Sequence, residues 1–103
     1  GSEKLYSVHL ANGASQVLPI HGYNNIYLAE IIMGKSNQTF AKVCVSSAYL
    51  VSIDVGTSAS VGNAEVDPGS GHLRVWKSTD PSVALVVSNE SGSGRNVLIK
   101  FFG

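Results

Sequence analysis

Charge is scarce in this sequence. Asp, Glu, Lys and Arg make up 14% of the 103 residues, against about 25% in an ordinary soluble domain. The seven basic and seven acidic residues cancel to a formal net charge of zero. The basic ones, Lys4, Lys35, Lys42, Arg74, Lys77, Arg95 and Lys100, are scattered singly. That scatter excludes a basic face able to displace counterions from phosphates, so nucleic acid is not an expected partner. Cysteine is nearly absent, and with Cys44 alone no internal disulfide can form. Within Val43-Cys44-Val45 it reads as a small buried hydrophobe, since a reactive thiolate needs a positive, accessible neighbourhood. No apolar run approaches the roughly 20 residues that span a bilayer, and membrane insertion is not expected.

Recognisable catalytic and ligand motifs are missing as well. His9, His21 and His72 stand far apart, outside any paired metal-ligand spacing. No acidic calcium loop is present, and Asp54, Glu65 and Asp67 do not make one. There is no Gly-x-Ser-x-Gly elbow, and Gly56-Thr57-Ser58-Ala59-Ser60 lacks the lysine of a phosphate loop. A chain this short leaves little room for a deep cleft flanked by paired carboxylates. No catalytic residue, metal or cofactor is assigned, and no enzymatic activity is expected.

What the sequence has is β-forming runs punctuated by Gly, Asn, Ser and Pro, none of them extending helically for three turns. Strands are expected over Leu5 to Ala11, Gln16 to Ile20, Ile26 to Met33, Thr39 to Ser46, Ala48 to Asp54, His72 to Lys77, Val83 to Ser88 and Asn96 to Phe102. A shorter one is expected at Ala64 to Val66, while Val55 to Gly62 reads as a loop or irregular edge. The rhythm is that of an all-β antiparallel sandwich of eight or nine strands, jelly-roll or immunoglobulin-like. Gly1-Ser2 has the look of a tag-cleavage remnant, and residues 3–103 read as one domain.

Asn12-Gly13 suits a tight hairpin, Met33 to Asn37 a longer one, and Asp67-Pro68-Gly69-Ser70-Gly71 is the strongest chain breaker. The Ser/Gly stretch from Asn89 to Gly94 is expected to join the last two strands as a terminal hairpin. Two Asn-x-Ser/Thr segments, at Asn37 and Asn89, are read as turn residues rather than glycan acceptors.

Period-two alternation assigns faces. In the last strand Val97, Ile99 and Phe101 share one side, and Asn96, Leu98, Lys100 and Phe102 the other. Both sides carry apolar groups, so the strand is either covered twice or meets another subunit. Leu98, Phe101 and Phe102 are therefore candidate interface residues, and a charge-poor chain that is 44% hydrophobic favours self-association. For ligand binding, His72, Arg74 and Trp76 alternate opposite the inward-pointing Leu73 and Val75. An exposed Trp beside Arg and His would offer a flat stacking surface. Tyr23, Asn24 and Asn25, in a polar aromatic loop, form a second candidate; for both, a purely structural role as packing or turn residues is the competing reading.

From about Gly71 onward the chain resembles the C-terminal domains of bacteriophage tail fibres and tailspikes. The resemblance rests on Gly71-His72-Leu73-Arg74-Val75, on Val83-Ala84-Leu85-Val86-Val87-Ser88-Asn89 leading into a Ser/Gly turn, and on Val97-Leu98-Ile99-Lys100-Phe101-Phe102 closing at Gly103. It implies a homotrimeric β-structured tip on a virion, holding fibre chains in register and contacting host-surface polysaccharide. Alternatives are a monomeric carbohydrate-binding or lectin-like module, and an immunoglobulin-like adhesin domain, both extracellular.

Overall fold

Alternating aliphatic and small or polar side chains make strands with one face to bury, and two such sheets can bury them against each other. The computed structural model describes residues 3–20, 26–62, 65–78 and 84–102, and it realises that solution with nine strands. These are β1 (Glu3–Leu10), β2 (Ser15–Pro19), β3 (Ile26–Met33), β4 (Phe40–Ser46), β5 (Leu50–Val55), β6 (Ala59–Val61), β7 (Leu73–Ser78), β8 (Ala84–Asn89) and β9 (Arg95–Phe102). One sheet runs β1-β9-β3-β4-β5 and the other β2-β8-β7-β6. All pairings are antiparallel except β6 with β7. The expected all-β sandwich is the fold.

The inner faces make a single aliphatic core. From the five-stranded sheet come Ala29, Ile31 and Met33, Ala41, Val43 and Val45, and Val97 and Ile99; from the other come Leu18, Leu73, Val75, Leu85 and Val87. Phe101 belongs to this core. Expected at a subunit boundary, it is instead 6% exposed and sits between two tyrosines, edge-on to Tyr6 at 6.1 Å and to Tyr27 at 5.6 Å. The inward period of β9 carries it there with Val97 and Ile99. Lys77, also on an inward position, is buried and donates from Nζ to the carbonyl of Ser47 at 2.9 Å. It ties the four-stranded sheet to the turn between β4 and β5.

Two expected hairpins are arches. Asn12-Gly13 leads from β1 in one sheet to β2 in the other, and residues 90–94 lead from β8 back across to β9. The two crossings lie together, so β1 pairs with β9 and β2 with β8 as one double ribbon folded over the core. Fully buried Asn89 decides this. Its side-chain amide donates to the carbonyls of Leu10 and Ser93, both at 2.8 Å, and its Oδ1 accepts from the Ser91 amide at 3.0 Å. Its main chain pairs with Gly13 and Ala14, and Asn12 Oδ1 accepts from Gly92. The positive φ of Gly13 (83°) is thus used in an arch rather than a hairpin. The last two strands accordingly fall in different sheets, unlike the adjacent final strands of an immunoglobulin sheet.

The β3–β4 hairpin through Gly34 to Asn37 forms as expected. The short strand does not: Glu65 and Val66 lie in a turn, with Val66 66% exposed. The extra strand is instead β6, inside the segment read as a loop. Nothing in Ala59-Ser60-Val61 demands it. Pairing with β7 makes it, fixed at one end by the Gly62 amide donating to Val75 and at the other by the His72 amide donating to Ser58. Gly56 permits the preceding turn, because a Cβ there would lie 2.0 Å from the carbonyl oxygen of Gln38.

If Asn89 pins both arches, Asn89→Ala leaves two carbonyls and an amide without partners. The expected loss is about 2–3 kcal/mol, read as a fall in Tm on the order of 10–15 °C by circular dichroism. A change under about 0.5 kcal/mol would mean that the backbone pairings hold the arches by themselves.

Candidate binding surfaces

The outer side of the four-stranded sheet is built around Trp76. In β7, Leu73, Val75 and Lys77 point inward and are buried, which leaves Arg74, Trp76 and Ser78 facing out. Cross-strand register places Val86 beside Trp76 and Val17 beyond it. Val17 is 54% exposed and Val86 only 6%, so the half-buried Trp76 and the exposed Val17 stand on either side of a buried valine. On the other flank of the indole is Gly62, where a Cβ would meet Pro68 at 3.2 Å and the Trp76 Cβ at 3.3 Å. Segment 65–71 therefore folds against this side of the tryptophan.

Arg74 holds that segment. Its Nε donates to the Gly71 carbonyl at 3.0 Å and its guanidinium lies 3.6 Å from the Asp67 carboxylate. Asp67 also accepts from the Gly69 amide at 2.8 Å, closing the turn that Pro68 starts. Arg74 thus positions the loop beside Trp76. His72 stands just before β7, exposed, with Nδ1 3.1 Å from Ser58 Oγ. The expected row of three becomes Arg74 and Trp76 on one face, with His72 at the bend ahead of them. Tyr23, Asn24 and Asn25 fall outside the described residues.

The outer face of the five-stranded sheet is larger and more apolar. Register across β9, β3, β4 and β5 sets three rows. One row is Phe102, Leu28, Cys44 and Val51; a second is Lys100, Glu30, Lys42 and Asp54; a third is Leu98, Ile32 and Phe40. Leu98 (45%), Ile32 (51%) and Val51 (53%) are openly exposed, as is Leu5 of β1 at the end of the charged row. Leu98 and Phe102 are on this face as their alternation requires, and Cys44, expected to be buried, stands half-buried between Leu28 and Val51. The inward places of β4 are already filled by Ala41, Val43 and Val45.

Electrostatically the charged row alternates in sign. Lys42 Nζ is 3.8 Å from Glu30, and Lys100 Nζ lies 4.8 Å over the ring of Phe102. A shallow recess of about 330 Å³ opens on this face between Glu30, Lys42, Asp54, Ile32, Phe40 and the turn at Ser36-Asn37. Glu30, Lys42, Ile32 and Val51 were not marked by sequence reasoning, and Asp54 was weighed only as a calcium ligand. Each is unremarkable on its own strand, and only the register assembles them. Among the described residues, no three His, Cys, Asp or Glu side chains converge to hold a metal ion.

Because Arg74 acts on the loop, Arg74→Ala is expected to speed hydrogen exchange at Gly69 and its neighbours. The fold should lose no more than about 1 kcal/mol, the ceiling for an ion pair this exposed. Exchange unchanged over residues 65–71 would show that Pro68 packing alone holds the loop.

No family model matches the chain, and neither the curated proteins nor the solved structures searched contain a match to it.

Proposed function

We propose that this chain is a non-catalytic assembly and recognition domain that associates with further copies of itself through the outer face of its five-stranded sheet. The observation that carries the reading is the exposed apolar field of Leu98, Ile32 and Val51, with half-buried Phe102, Leu28 and Phe40. An antiparallel sheet whose outer side faced only water would alternate to polar residues there, and exposed apolar groups flanking the charged row on both sides mark an interaction site. The sparse charge of the chain points the same way. With the resemblance of the terminal strands, this supports placement at the distal end of a phage tail fibre or spike, at the virion surface.

A second role rests on a separate observation. Half-buried Trp76 with its clamped flanking loop, and exposed Val17 across the buried Val86, offer apolar surface on which a sugar ring of a host polysaccharide can stack. The same surface would serve a monomeric carbohydrate-binding module, which is the alternative reading.

Light scattering over a dilution series tests assembly, with an oligomeric mass expected. Leu98→Asp should reduce it to a monomer while changing monomer stability by no more than about 0.5 kcal/mol, because the position is exposed within one chain. Phe101→Asp should instead unfold the domain, since it buries an unpaired charge between two tyrosines. A wild-type monomer at every concentration would remove the assembly reading and favour the module. For recognition, Trp76→Ala should abolish binding to bacterial surface polysaccharide with the fold intact by circular dichroism; retained binding would move the site away from β7.

A further inference from the structure

The order of charges on the five-stranded sheet says how a second copy would sit on it. Reading across β9, β3, β4 and β5, the middle row is Lys100, Glu30, Lys42 and Asp54, in continuous cross-strand register. The signs run plus, minus, plus, minus. A row of four alternating charges has a symmetry property that three or five would lack: turned end for end, it presents the opposite sign at every position. Two copies placed face to face by a twofold axis parallel to the strands and passing between β3 and β4 meet in this reversed order. Glu30 then faces Lys42 of the other copy, and Lys100 faces Asp54.

We propose that two copies of this chain pair through the outer faces of their five-stranded sheets about that twofold axis. The proposal rests on the assembly reading above and adds the partner, the stoichiometry and the geometry. The axis also matches the uncharged rows. Reversal sets Leu28 opposite Cys44 and Phe102 opposite Val51 on one side of the charges, and Ile32 opposite Phe40 on the other, so these apolar groups meet apolar groups, while Leu98 at the rim lies over the chain at Gly56, just past β5. Each contact occurs twice, as an isologous interface requires. Sheets packed face to face keep their strand directions within about 30° of each other, so register is held best close to the axis. Glu30 and Lys42 flank it, on the two central strands.

About this axis four strands, β9, β3, β4 and β5, lie over their counterparts while β1 overhangs. At about 4.8 Å apart and roughly 24 Å long they overlap over about 19 by 24 Å, less than the roughly 800 Å² that each partner contributes to a standard interface, so the pairing is expected to depend on concentration. A threefold arrangement, the one implied by the resemblance to fibre tips, would leave this self-complementary face unmatched. Like charges brought together in such an interface are strongly disfavoured, whereas complementary ones fix register and partner.

Charge exchange tests the axis separately from assembly. Glu30→Lys converts the row to plus, plus, plus, minus and sets like charges against each other at both central positions of a homodimer. Lys42→Glu does the same with negative charges. Each variant alone is expected to weaken the dimer roughly a hundredfold or more, giving a monomer by light scattering at concentrations where the parent is a dimer. Mixed in equal amounts, the two rows become complementary at all four positions, and a one-to-one complex should return, identified with one variant carrying an affinity tag.

The double variant E30K/K42E, with the order plus, plus, minus, minus, is again the reverse of itself in sign. It should dimerise alone, and it decides the matter if either single variant fails to show cooperative thermal unfolding. A parent that assembles as a trimer, or an oligomer that neither single variant disturbs, would overturn the twofold while leaving assembly standing. A mixture that stays monomeric would also overturn it. A parent that is monomeric throughout would overturn both.

Discussion

One buried asparagine sets the topology. The side chain of Asn89 satisfies the carbonyls at the end of β1 and in the segment before β9, while its main chain pairs with the segment leading into β2. A buried amide must find its partners or lose several hydrogen bonds' worth of stability, and these partners exist only where the two arches lie together. Once they do, β1 must pair with β9 and β2 with β8, and the chain has committed its two end strands to one sheet and the strands next to them to the other. The aliphatic inner faces then have one way to meet.

The register that follows turns dispersed residues into surfaces. Glu30, Lys42, Asp54 and Lys100 are widely separated along the chain, yet β9, β3, β4 and β5 align them within one row. The bulge between Lys42 and Val43 matters here, since it leaves Ile53 without a partner and lets Asp54 oppose Lys42. Without that extra residue the fourth charge would shift to the inward side of the pleat and the row would hold three. On the other sheet, Gly62 and the Arg74–Asp67 contact do comparable work by seating residues 65–71 against Trp76.

Much of this was legible in the sequence where the signal is local. Alternation placed most strands within two residues of their ends, put Leu73 and Val75 inward, and separated Val97, Ile99 and Phe101 from Leu98, Lys100 and Phe102 without saying which of those two faces was the inner one. What local pattern does not encode is which strand lies beside which. Asn12-Gly13 and the Ser/Gly stretch after Asn89 suit a hairpin and an arch equally well, because both need only positive φ and small side chains. β6 exists through its pairing with β7 rather than through its composition. Phe101 and Phe102 are adjacent aromatics that read alike in sequence, and the period of two sends one into the core and the other onto the outer face. Arg74 was legible as outward but not as a clamp, since Asp67 and Gly71 reach it only through the folded loop.

Sheet edges are the usual route by which β domains associate, and three of the four here are poorly suited to it. β6 has three residues, β2 ends on Pro19, which has no amide hydrogen to offer, and β5 is bulged. Growth through those edges is disfavoured, and among the described residues the edge of β1 is the long one left open. The outer face of its sheet is different in kind, because its apolar rows gain from being covered while its charged row penalises most ways of covering them. An apolar face alone would adhere in any orientation, and one crossed by like charges would not adhere at all. On the twofold pairing proposed above, alternation over the four strands that carry the charges would make the face selective for its own reversed image.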